Sequence, residues 1–285
     1  IASIDDGERL LKEFEYCVET LDQIQKSLED YLQTKRMAFP RFYFLPNEDL
    51  IEILSQTRDP HAVQPHVGKC FDAIKRLKFG EKREINSIKG FCDPKTEVVP
   101  TSEDVPAEGP VEVWLKTFQD QMVKTLYDRN KLAWQQYPAD GQPAIERKEW
   151  LFSAPAQIII VVDEIVWTRN MARALTAMDD GSNPNATKEF LDFSQRQIEY
   201  MITLVQGDLT RGQRTMIGAL VTIDVHARSV TEEIVAKQVS SIRDFMWTKQ
   251  LRYYWEEELD DCTAKQTNTR FVYGYEYLGN GPRLS

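Results

Sequence analysis

Leu10, Phe14, Cys17, Leu21, Ile24, Leu28 and Tyr31 recur at alternating intervals of four and three, with Leu11, Val18 and Leu32 beside them and polar residues between. That spacing predicts a helix with one apolar seam, about 35–50 Å long at ~1.5 Å per residue. A free coiled-coil strand carries the same seam; the aromatic segment that follows directly favours a helix packed in a bundle. Pro40 lacks a backbone donor and biases the preceding residues away from helix, so the helix is expected to stop there. Phe39, Phe42, Tyr43 and Phe44 crowd around it. So much aromatic area is expected to pack between helical layers. Asn47 is expected to cap the next helix, which carries Leu50, Ile51, Ile53 and Leu54. Nothing in this segment is catalytic.

A third helix is expected after Asp59-Pro60, regular from Pro65, with Val63, Val67, Cys70, Ile74 and Leu77 on one face. From Ile85 to Pro110 prolines and glycines punctuate the chain, while Ile85/Ser87 and Val98/Val99 are strand-like. A β-hairpin and an acidic loop are expected there, at a subdomain boundary. Helical spacing resumes at Val111, Trp114, Leu115, Phe118, Met122 and Leu126 and breaks at 138–141. Pro143–Met178 reads as helix with a stop or kink at Pro155. Within it Ile158–Val162 alone fits a buried strand, but the uninterrupted continuation favours helix. After a loop at Asp179–Pro184, a helix runs from Phe190 through Phe193, Gln197 and Met201 to Val205. Helices are expected again at about Arg211–Lys237 and Val239–Leu259. Only Cys262–Leu278 reads as strand, with Phe271, Tyr273, Tyr275 and Tyr277 on one aromatic face. The expected fold is mainly α, a string of helical bundles with two small β elements. It divides into 1–84, 85–110, 111–260 and 261–285.

Composition narrows the classes. Of 285 residues 42% are apolar, and 13 glycines and 13 prolines are too few for a loop-rich or disordered chain. A net charge of −10 argues against nucleic acid or anionic membrane held by bulk electrostatics. Cys17, Cys70, Cys92 and Cys262 form no CxxC pair, so a disulfide framework is not expected and reduced thiols fit a cytosolic-type compartment. The apolar run Ile158–Val162 falls far short of a membrane span. Acidic residues at the start leave no signal core. Without an initiator Met, the chain is expected to be a piece of something longer.

The candidates for chemistry are weak. Gly207 and Gly212 have the separation of a phosphate loop, but Gln213 and Arg214 stand where Lys and Ser/Thr are needed; a helix–turn–helix corner is expected. Asp224, His226 and Arg228 share two helical turns, where an Asp224–Arg228 surface pair at i, i+4 is the simpler reading than a general base. His61 and His66 lack zinc-site spacing. Asp163 and Glu164 are expected to face solvent or a neighbouring helix rather than form a carboxylate dyad. Trp247, Tyr253, Tyr254 and Trp255, with Arg243, Lys249 and Arg252, could stack bases, but Glu256, Glu257 and Glu258 favour packing. No self-contained enzyme is visible.

Five blocks carry a family resemblance: LDQIQKSLEDYLQTKRMAFPRFYFLPNEDLIEILSQTRDPHAVQPHVGKCFDAIKRLKF at Leu21–Phe79, VEVWL at Val111–Leu115, GALVTIDVHARSV at Gly218–Val230, DFMWTKQLRYYWE at Asp244–Glu256 and YGYEYLGNGPRL at Tyr273–Leu284. Over nearly the whole chain these resemble dynein heavy chains, in the linker ahead of the first AAA+ module. The FPRF and TRDP-x-x-VQPH forms look axonemal rather than cytoplasmic. The resemblance implies an elongated curved rod of consecutive antiparallel bundles acting as a mechanical lever. The lever would bend and straighten over the ring to drive a microtubule minus-end-directed power stroke in a cilium or flagellum. It implies contacts with the first, second and fifth modules, dynein intermediate and light chains in the complex, and microtubules reached indirectly. ATP or ADP with Mg would sit in the ring, and none of catalytic, cofactor or metal residues is expected here. Phe39, Phe42, Phe44, Trp114, Phe271, Tyr273, Tyr275 and Tyr277 are the interaction or hinge candidates. Bending is expected near Ile85–Pro110, and the Phe271–Tyr277 segment is expected to anchor the lever to the ring. The alternative is a static helical scaffold or tail segment that binds accessory chains.

Overall fold

A computed structural model describes residues 4–56, 59–81, 86–137 and 146–281. The fold is mainly helical with two three-stranded antiparallel sheets. The longest helix, α1 (Ile4–Ala38), ends one residue before Phe39, as Pro40 requires. Its seam, however, is not buried. Leu10, Phe14, Leu21, Ile24, Leu28 and Tyr31 are 41–63% exposed, and only from Leu32 onward does α1 meet the body. The periodicity correctly gave a helix, but nothing else among the described residues packs on this face.

The end of α1 is held by polar contacts. Lys35 Nζ lies 2.5 Å from Glu112 Oε1. Arg36 donates to the Leu45 carbonyl and, at 2.8 Å, to Asn47 Oδ1. Asn47 is therefore not the cap of α2 (Asn47–Ser55); the cap position is Pro46, and the Asn47 side chain turns to Arg36 instead. A 3-10 turn over Pro40–Phe44 buries Phe42. A second such turn at Pro60–Val63 leads into α3 (Gln64–Cys70). There α3 stops short, because Phe71 turns to an extended conformation. Ile74 and Leu77 are still buried, Leu77 from strand β1 (Arg76–Phe79). Apolar spacing thus persisted past the helix it suggested.

Strand β1 pairs with β2 (Ser87–Asp93), and β2 with β3 (Glu97–Pro106), in the register Leu77–Phe91–Val99. Ser87 and Val98/Val99 lie in these strands; Ile85 is outside the described residues. The sheet rests on α4 (Val111–Gln135), whose Thr125 hydroxyl accepts from the Ser102 amide. The break at 138–141 and the start at Pro143 fall outside the described residues. A short α5 (Arg147–Leu151) precedes α6 (Ala156–Asp179), separated at Pro155. Ile158–Val162 is helical and wholly buried, as the core of a larger body demands.

Helices α7 (Ala186–Val205) and α8 (Arg211–Ala236) pack against each other and on α6. At the corner Thr210 and Gln213 form a reciprocal capping box, which explains a Gln where a phosphate loop has Lys. The helix expected at Val239–Leu259 does not form. Gln238 adopts a left-handed φ of 53°, Asp244 caps a single turn α9 (Phe245–Thr248), and β4 (Arg252–Glu256) follows. Its Arg-Tyr-Tyr-Trp sequence favours a pleated surface over a helix. Strand β4 pairs with β5 (Asp261–Gln266) and β5 with β6 (Thr269–Val272). One hydrophobic core runs from Leu32 through both sheets to Tyr277, and a second, smaller one joins Met171, Leu175, Val230, Ile234, Val239 and Trp247. No helix among the described residues is long and apolar enough to cross a membrane.

The α8 start is jammed against the β2–β3 turn. A Cβ on Gly212 would lie 2.0 Å from the Thr96 carbonyl oxygen, whereas one on Gly218, farther along α8, meets nothing within 4 Å. Gly212→Ala is expected to destabilise the chain by about 2–3 kcal/mol through overpacking. Gly218→Ala is expected to be neutral or to stabilise by about 0.5–1 kcal/mol. Urea unfolding of both variants checks the pair.

Candidate functional site

Past β6 the chain leaves the sheet and crosses the body as a strap, residues 273–281. The expected continuous aromatic strand is corrected: it ends at Val272, and Tyr275 sits at φ 51°, in the left-handed region that breaks the alternation. The three tyrosines of the strap instead reach three different elements. The Tyr273 hydroxyl accepts from Gln157 Nε2 of α6 at 2.7 Å. The Tyr275 hydroxyl donates to Asp261 Oδ1 of β5 at 2.7 Å, and that of Tyr277 donates to Glu97 Oε1 of β3 at 2.8 Å. Burial raises both tyrosines well above the ordinary phenol range, so both stay neutral donors. Glu97 is itself raised by burial, opposed by the Ala156 amide and Tyr277 hydroxyl that donate to it.

Gln157, buried at the first turn of α6, holds the strap backbone. Its Nε2 also donates to the Glu276 carbonyl at 2.8 Å, and its Oε1 accepts from the Leu278 amide at 2.7 Å. Asn280 Nδ2 donates to the Gly212 carbonyl, tying the strap to α8. On the other side Arg41, from the turn after Pro40, makes a two-pronged contact with Glu276. The two bonds are 3.0 and 2.6 Å long. The same guanidinium donates to Gln119 Oε1 and the Cys70 carbonyl, and stacks 4.5 Å from the Phe71 ring.

Beneath this clamp lies a file of rings. Phe42 meets Phe39, Phe39 meets Phe71, Phe71 meets Phe118, Phe118 meets Phe91 and Phe91 meets Tyr277, with centroids 5.0–6.3 Å apart. Most are edge-on, the favoured arrangement for such pairs. Phe39, Phe42, Tyr273, Tyr275 and Tyr277 are therefore brought together with the strap. Phe44 (72% exposed) and Phe271 (56% exposed) stand apart from it, while Trp114 is buried beside Val63 and Ala107. Arg41, Gln157, Glu276 and Asn280 were missed. Their signals were an Arg inside an aromatic cluster, a Gln opening an apolar run, and a lone Glu between tyrosines.

The other candidates resolve differently. Asp224 does not pair with Arg228, which donates to Gln195 instead. Asp224 turns inward and shares a hydrogen bond with Asp163, and burial raises it well above the carboxylate range. Asp163 in turn lies 3.5 Å from Arg147. Asp163 thus does face a neighbouring helix, and its acidic partner comes from α8. A cavity of about 40 Å³ beside them is lined by Tyr137, Trp167, Asn170 and Gln197. Next to this pair burial pushes the Glu164 carboxyl up to about 8, with Asp163 adding to it. Trp247 is buried against Trp167 and under Arg252, as packing predicts. Cys70 and Cys262 are pushed up to about 12 by burial, which makes them poor nucleophiles.

In this arrangement the 273–281 strap is locked across a helical body. Residues 1–133 match the family described as Dynein heavy chain, N-terminal region 2. The chain is 39% identical to human dynein axonemal heavy chain 6, over 96% of its own length and 7% of that protein's. It is 39% identical to mouse dynein axonemal heavy chain 1, over 100% of its length and 6% of the relative's. It is 37% identical to human dynein axonemal heavy chain 12, over 96% and 8%. The chain is therefore homologous to the N-terminal region of dynein heavy chains, with axonemal members among its relatives, and spans only 6–8% of these three.

Two expectations follow. Gln157→Leu leaves the Leu278 amide and Glu276 carbonyl without their partner, at a cost of about 3 kcal/mol. Hydrogen exchange at Leu278 should accelerate more than at Leu126. For Glu164, the folded chain holds a proton from about pH 4.5 to about 8 that the unfolded chain has released. Stability therefore declines as pH rises through that window, by up to about 1.4 kcal/mol per unit. Glu164→Gln should flatten the decline in urea melts from pH 5 to 8 and be the more stable protein at pH 8.

Proposed function

We propose that this segment is the mechanical linker of an axonemal-type dynein heavy chain. In this reading it bends and straightens over a ring of AAA+ modules and carries ATP-driven changes of the ring into a microtubule minus-end-directed stroke. The observation that carries the proposal is the clamp. Arg41, Gln157 and the file of rings bind the strap into the body across 235 residues of sequence. A strap fixed this way passes load from the chain beyond it into α3, α4 and α6 without sliding, because close-packed rings resist shear.

The segment's part is to transmit force, and nucleotide chemistry belongs to the ring, which would bind ATP or ADP with Mg. Its partners would be the first, second and fifth modules of that ring, with intermediate and light chains in the complex and microtubules reached indirectly. The cilium or flagellum is the place such a motor would work. A bend through Ile85–Pro110 would have to part Phe91 from Phe118 and Tyr277. The exposed length of α1 carries no such cost. We therefore assign the changing contacts of the lever to α1 and the fixed ones to the strap. The exposed seam of α1 also suits the second reading, a scaffold segment that holds accessory chains.

The test is Glu276→Lys in a heavy chain that contains this segment, read out by microtubule gliding and ATP turnover. Repulsion from Arg41 should slow gliding while turnover persists, and Arg41→Glu combined with Glu276→Arg should restore part of the velocity. Unchanged gliding in Glu276→Lys would favour the scaffold.

A further inference from the structure

On the flank of the clamp, α2 and α3 bring Asp49, Glu52 and His66 together. One donor atom from each lies within 4.8 Å of the other two. Asp49 and Glu52 stand three residues apart on α2 and so share a face. His66 opposes them from the first turn of α3. His66 is 4% exposed and neither ring nitrogen has a hydrogen-bond partner. Each nitrogen instead stands 3.5 Å from a carboxylate oxygen, Nδ1 from Asp49 and Nε2 from Glu52. A buried imidazole facing two acids without a hydrogen bond is costly unless something satisfies it.

We propose that Asp49, Glu52 and His66 form a site for a divalent cation, with zinc the best match, that pins α2 to α3. One imidazole nitrogen and two carboxylates are donors that zinc takes, and a water in the fourth position would complete a tetrahedron. The imidazole disfavours calcium and magnesium, which take oxygen ligands. With bonds of about 2.1 Å, tetrahedral ligand atoms stand about 3.4 Å apart. The 3.5 Å between His66 Nδ1 and Asp49 Oδ1 already meets that spacing. The imidazole offers the metal one nitrogen, so Glu52 has to swing to complete the set, and its side chain is 57% exposed and free to do so. Lys69 Nζ, 2.5 Å from the other oxygen of Asp49, holds that carboxylate in place and leaves Oδ1 for the metal. Its charge also weakens the site. Cys70, at the end of α3, offers its carbonyl to Arg41, so a cation here stiffens the base of the clamp.

Zinc titration of the whole chain against a chromophoric chelator tests this, in a Cys17→Ser background that removes the exposed thiol. One saturable equivalent is expected, with a zinc-dependent rise in melting temperature that calcium does not reproduce. Glu52→Gln should weaken zinc by about tenfold or more. The proposal is overturned if Glu52→Gln binds zinc as tightly as its parent. It is equally overturned if no saturable binding is seen below about 100 μM, which would leave the three side chains a structural contact only. The Glu52 variant suffices even if replacing the buried His66 prevents folding.

Discussion

Arg41 reaches Glu276 across almost the whole length of the chain, and this fork decides how the rest can be arranged. A guanidinium offers parallel donors in a fixed plane, so a bidentate carboxylate sets both distance and angle. Arg41 adds bonds to Gln119 and the Cys70 carbonyl and rests on Phe71. With the guanidinium so fixed, the strap has one course open to it, over Gln157 and toward Gly212. Both charges keep some contact with water, so the pair supplies position more than energy. The energy comes from the buried rings below, Phe39, Phe71, Phe118, Phe91 and Tyr277.

Much of the helical framework was legible. Apolar periodicity located α1, α4, α6, α7 and α8, and Pro40 marked the end of α1. It failed where burial alone, without helix, satisfied the same spacing. Ile74 and Leu77 belong to a turn and a strand, yet are as buried as a helix face would make them. At 239–259 the left-handed Gln238 and the β-favouring Arg252–Trp255 outweighed a helical pattern. Tyr275 shows a similar limit. Period-two alternation from Phe271 to Tyr277 predicted one aromatic face, but a positive φ in the middle sends the rings to different partners. The polar members of the clamp were hidden for another reason. Arg41, Gln157 and Glu276 have meaning only in pairs brought together from distant sequence, and a single chain records no pairing.

The seam on α1 poses the opposite case. There the sequence pattern is regular and the surface it predicts stays in water, from Leu10 to Tyr31. Exposed apolar stripes of this length mark places where another element docks. The relatives are many times longer than this chain; on the proposed linker reading, a neighbouring helix of the heavy chain would be the occupant. The proposed lever reading gives α1 and the strap different parts. Lys35 and Arg36 fasten only the last turns of α1, leaving the remainder free to exchange partners. The strap is bound by side chains from α4, α6, β3 and the turn after Pro40, and has nowhere to slide.

The most direct measurement is the Arg41–Glu276 separation in a heavy chain trapped in its bent and straight nucleotide states, read from structures of both. The account predicts that the fork and the Phe91–Tyr277 contact persist unchanged in each, while the solvent exposure of the Leu10–Tyr31 seam differs. If the strap parts from Arg41 in either state, load does not pass through this clamp and the account is contradicted.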